Sequence, residues 1–114
     1  MKKLLLAGVA ALGIAGTAHA ADIRDDLRYD LVNVDTARYC GWISWQTGYD
    51  ALSAIFVAYT RYLPDDFVML AANTARDMVR AGTDCAKAPL SVRAATVGHV
   101  NQIIAQGRVG EPNS

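Results

Sequence analysis

Glutamate and lysine are nearly missing from this chain of 114 residues. Glu111 is its one glutamate and Lys2, Lys3 and Lys87 its only lysines, so aspartate and arginine carry most of the charge. Histidine is as scarce, at His19 and His99. A nucleophilic triad needs a base beside Ser or Cys, and zinc needs several thiolate or imidazole ligands, so neither chemistry has material here. There is no CxxC pair, haem-attachment CxxCH, HExxH, phosphate-cradling glycine loop or calcium-loop spacing. Asp25-Asp26 and Asp65-Asp66 do pair carboxylates, but adjacent residues on a helix do not face one another and make a poor hydrolase site. The sequence therefore predicts no enzyme, no cofactor and no metal. Eleven basic residues balance eleven acidic ones, which leaves no surplus for a nucleic-acid surface.

What is present starts with MKKLLLAGVAALGIAGTAHA. Lys2 and Lys3 precede an apolar run, and Ala18-His19-Ala20 supplies the small-x-small site of a signal peptidase, so residues 1 to 20 read as a leader cleaved after Ala20. No cysteine follows the run, which excludes a lipoprotein signal. Taking 20 from 114 leaves 94 residues, enough for one domain with a modest core, placed at 21–107 with a disordered tail at 108–114. Its expected location is the periplasm. Two of the eleven bases leave with the leader, so the remaining chain would swing from about −2 near neutrality to about +10 in strong acid.

Cys40 and Cys85 are an even pair in an exported chain, which predicts a disulfide. It would close a loop of 85 − 40 = 45 residues, worth roughly 3 to 4.7 kcal/mol in the chain-entropy model.

Hydrophobic spacing predicts four helices. The first spans 22–39, with Ile23, Leu27, Leu31 and Val34 on one face and Asp25, Asp26, Arg28 and Asp30 mostly away from it. A second, over 42–62, carries a seam of Trp42, Trp45, Tyr49, Leu52, Phe56, Tyr59 and Leu63 at alternating intervals of three and four, flanked by Ala51, Ile55, Ala58 and Tyr62. Asp50 and a polar opposite side argue against a lipid span. Gly48 within it suggests a bend or a close approach by another backbone. Pro64 and Asp65-Asp66 open a third helix over 65–81, expected to bury Phe67, Leu70, Ala71, Thr74, Met78 and Ala81. The last, over 90–106, should turn Leu90, Ala94, Val97, Val100 and Ile104 inward and His99 outward, and end at Gly107. The second and third helices, similar in length and joined by a tight turn, should form a central antiparallel hairpin clamped by Cys40–Cys85 at its open end. The expected fold is thus all-α, a small four-helix domain. Most of the aromatic seam should be core. The remaining apolar surface, assigned to Trp42, Trp45, Tyr49, Phe56, Tyr59 and Phe67, is expected to meet a partner, a client or a second copy.

The layout resembles the HdeA/HdeB-type acid-stress chaperones of the bacterial periplasm. It shares a cleaved leader, an acidic helical first segment, "RYCGWI" opening a long helix, "VRAGTDCAKAPLSV" carrying the second cysteine, and one more helix after it. The resemblance covers roughly residues 22 to 106. It implies one disulfide tying the helices together, a folded dimer at neutral pH, and apolar surface released in acid to hold unfolding clients. "CGWISWQTGYDAL" also resembles the opening of periplasmic immunity proteins of the Rap/Tai type, a second expectation, and a structural subunit of an envelope complex is a third.

Overall fold

The computed structural model describes residues 19–109. They form four helices, α1 (His19–Tyr39), α2 (Trp45–Tyr59), α3 (Asp65–Gly82) and α4 (Leu90–Val109), with one 3-10 turn at Cys85–Lys87 and no strand among the described residues. The all-α four-helix domain expected from the spacing is what the chain builds. The proposed leader lies outside the described residues except for His19 and Ala20, which begin α1. Of the expected tail, residues 110–114 also lie outside, whereas 108 and 109 complete α4, so Gly107 does not end that helix.

The central element is α1. Leu27, Leu31 and Val34 are buried along one stripe, as the sequence predicts, and Ala37 continues it, whereas Ile23, expected on the same face, is half-buried. Each of the first three contributes about 1.5 to 3 kcal/mol by leaving water. The other three helices pack around it, with α3 on one side and the mutually packed pair α2 and α4 on the other. Val68 and Ala75 from α3, Ala51 and Ile55 from α2, and Val100 and Ile103 from α4 complete one continuous core. No helix among the described residues is long and apolar enough to cross a membrane.

The hairpin of α2 and α3 is closed at both ends. Pro64 lies between the two helices at the turn, and Cys40–Cys85, with Cα atoms 5.4 Å apart, joins the segments just outside their far ends. Between those ends the two arms touch sparingly, since α3 packs on α1 while α2 packs on α4 and α1. The disulfide therefore does more than fasten two arms together; it ties the α1–α2 junction to the segment that links α3 to α4.

Three faces differ from expectation for one physical reason: the direction from which a neighbouring helix approaches, and not side-chain size, decides which of several apolar stripes is buried. On α2 the buried strip is Gly48, Ala51 and Ile55, and the aromatic seam lies beside it. On α3 it is Val68, Ala75 and Val79, so Phe67, Leu70 and Met78, expected inside, lie exposed. On α4 the strip is Thr96, Val100 and Ile103; Leu90 and Ala94 stand in solvent, and His99 is half-buried.

α2 is also shorter than 42–62. Gly41 turns the chain out of α1 at φ +72°, and Ser44 caps the new helix by accepting the Thr47 amide at 3.1 Å. At the other end the Thr60 hydroxyl donates to the Phe56 carbonyl at 2.7 Å.

Candidate functional site

Polar chemistry concentrates at two places on α1. The first is Asp30. Its Oδ2 accepts from the Tyr59 hydroxyl of α2 at 2.7 Å, and its Oδ1 lies 2.8 Å from His99 Nε2 of α4. Tyr29 adds an edge-on ring contact to His99, with centroids 4.9 Å apart. One carboxylate thus joins three helices. Burial, and then the Asp30 carboxylate beside it, pushes the Tyr59 phenol far above its usual value, so Tyr59 stays a donor. This network borders a groove of about 690 Å³ between the start of α1, the second half of α2 and the end of α4. Ile23, Val57, Tyr62 and Ile104 line it together with Asp26 and Asp50.

The second place is Asp35, only 6% exposed. Oδ1 meets Arg38 Nη1 at 3.4 Å, while Oδ2 is buried with no hydrogen-bond partner. Burial pushes this carboxyl up, against the pull of Arg38, Arg76 and Arg80. Arg38 reaches the site because Gly48 leaves room for it. A Cβ at position 48 would sit 2.6 Å from both Cγ and Cδ of Arg38. The close approach suggested by that glycine is real, but it is made by a side chain and not by backbone. The two sites differ in legibility. Asp35 continues the Leu27-Leu31 stripe at a spacing of four, a signal the sequence did carry; the contact of His99 with Asp30 spans 69 residues and left none.

The six aromatic residues assigned to a partner surface are not brought together. Trp45 is 71% exposed and stacks on exposed Tyr49, with ring centroids 5.7 Å apart. Trp42, Phe56 and Tyr59 are half-buried against the core. Phe67 lies on α3, partly covered by the Arg24 guanidinium 6.0 Å above its ring. Met69, Leu70 and Met78, which the sequence did not single out for this role, are as exposed as Tyr49 or nearly so and extend the apolar surface along α3. No group of three or more potential ligands among the described residues is arranged to hold a metal ion. No family model, curated protein or solved structure matches the chain.

Proposed function

We propose that the protein is an exported, periplasmic acid-stress holdase of the HdeA/HdeB type, a binding protein and not an enzyme. The observation that carries this reading is the Asp30 carboxylate, which accepts from α2 and meets α4 at the same time. Charge-assisted hydrogen bonds are roughly twice as strong as neutral ones, and protonating the carboxylate weakens both contacts together. Acid also removes the carboxylate partners of the arginines and leaves like charges repelling one another. α2 and α4 would then loosen from α1, while Cys40–Cys85 keeps the chain from dispersing. The result is a helical, expanded state with apolar surface open to unfolding clients.

Exposed Trp45 and Tyr49 supply part of that surface, and Phe67, Leu70 and Met78 supply the rest. At neutral pH a second copy would cover the α3 stripe. Two antiparallel α3 helices would set Asp65 and Asp66 of one against Arg80 of the other. The same stripe supports the second reading, a specific envelope partner such as the target of an immunity protein, because a rigid apolar helix face suits a permanent contact.

The test is light scattering from an acid-sensitive client brought to about pH 2.5, where aspartate and glutamate are protonated. Oxidised protein should suppress aggregation, and Trp45→Ser with Leu70→Ser should remove most of the suppression. Absence of suppression by the unmutated protein overturns the holdase reading and leaves the specific-partner one.

A further inference from the structure

The cleft above Asp35 is a separate feature, at the end of the domain away from the Asp30 network. It encloses about 210 Å³ where the last turns of α1, the start of α2 and the second half of α3 meet. Arg38, Arg76 and Arg80 line it against a single carboxylate, Asp35. Their guanidinium groups are only partly used. Arg38 holds Asp35 at 3.4 Å, Arg76 makes a loose surface pair with Asp77 at 3.7 Å, and no ion pair engages Arg80 among the described residues. The first turn of α2, which opens on the same cleft, has no acidic residue to offset its positive end. Tyr39, Ile43 and Trp45 form the remaining wall, so the cationic groups face an apolar and aromatic side.

We propose that this cleft binds a small organic acid, a carboxylate carried on an apolar or aromatic body. Planar guanidinium groups match a carboxylate with two parallel hydrogen bonds, which an ammonium cannot do. Arg76 and Arg80, one turn apart on α3, present two such groups on one face. Asp35 acts beneath them as a positioning residue: it fixes Arg38 from below, and the Gly48 gap fixes the stem of Arg38 from the side. The aromatic wall takes the body of the ligand, which a bare oxyanion lacks. This inference does not depend on the holdase reading, since it concerns the folded protein at neutral pH.

The experiment is a titration of the oxidised full chain at neutral pH with phenylacetate, followed by tryptophan fluorescence and calorimetry. Phenethylamine, with the same ring and the opposite charge, and inorganic sulfate are the comparison probes. Phenylacetate should bind saturably and at least tenfold more tightly than either. Arg76→Gln with Arg80→Gln should weaken it at least tenfold while the helical circular dichroism and a cooperative thermal transition are retained, because both side chains are exposed. Equal binding of phenethylamine, no saturable binding of phenylacetate, or full affinity in the arginine variant each overturns the proposal. Sulfate binding as tightly as phenylacetate also overturns it, because the apolar wall would then contribute nothing.

Discussion

Asp30 and Asp35 lie about 140° apart around α1 at 3.6 residues per turn, so they face different neighbours. Asp30 faces α2 and α4, and both of its oxygens meet a group from another helix. Asp35 faces α3, is more deeply buried, and leaves one oxygen without a partner. The two sides of α1 are therefore held by different means. Toward α2 and α4, packing is reinforced by a polar contact that specifies register across three helices. Toward α3, the polar contact is incomplete, and a covalent link at the end of the helix supplements a narrow strip of Val and Ala.

Removing that link should produce the largest effect and should break the comparison most visibly. Cys40→Ser with Cys85→Ser is expected to cost roughly 3 to 4.7 kcal/mol, measured from the urea midpoint. That is a large part of the 5 to 15 kcal/mol of an ordinary domain. Hydrogen exchange on the same variant should find α3 losing protection first, while α1, α2 and α4 retain theirs. Uniform loss over all four helices would mean that α3 is not the side held by the disulfide.

Tyr59→Phe addresses the other side. It deletes a hydrogen bond to a charged acceptor and should cost about 1.5 to 3 kcal/mol near neutral pH. It should also change the alkaline limb. The Tyr59 phenol is raised in the folded state, so its contribution is complete below the ordinary tyrosine value of about 10 and is lost as pH climbs beyond it. The unmutated protein should lose stability over that range by more than Tyr59→Phe does. Equal slopes would show that the Asp30 contact does not hold the phenol proton.

Gly48→Ala is the next smaller effect, and it probes how the α3 side is reached. The new methyl meets the Arg38 stem, an overpacking cost of about 1 to 3 kcal/mol, offset by about 1 kcal/mol of improved helix preference. Denaturant unfolding should show a net loss. Made in an Arg38→Ala background, the same substitution should instead gain stability, because the clash is gone and the helix preference remains.

These positions also show what a sequence can reveal. The α1 stripe was legible because Leu27, Leu31 and Val34 are large, regularly spaced and have no rival on the same helix. On α3 two apolar stripes compete. Size favours Phe67, Leu70 and Met78, but the choice is made by closeness of approach to α1, which selects Val68, Ala75 and Val79. Periodicity finds both stripes and cannot rank them without the neighbouring helix. The disulfide was legible from an even cysteine count behind an expected leader. The Asp30 network was not, since its members are ordinary surface residue types in three separate helices, and only tertiary packing brings them together.

The smallest effect sharpens the comparison by its sign. Asp35 has a carboxyl raised by burial, so over the window between its unfolded and folded values the folded protein holds a proton that the unfolded chain lacks. Stability from this group falls as pH rises through that window, and above it the cost of burying the charge is complete. Asp35→Asn should therefore stabilise the protein near neutral pH, with the gain fading as acid reaches the ordinary aspartate range near 3.9. Paired urea titrations at neutral and acid pH measure it; a gain that grows on acidification would contradict the burial argument. The consequence bears on how the domain would open. Acid relieves the burial cost at Asp35 on the α3 side and weakens the Asp30 contacts on the α2 and α4 side. An acid-expanded state should then keep α1 and α3 together around the disulfide and release α2 and α4. Hydrogen exchange at low pH would reveal that order, and early loss of α3 would reverse the assignment of the two sides.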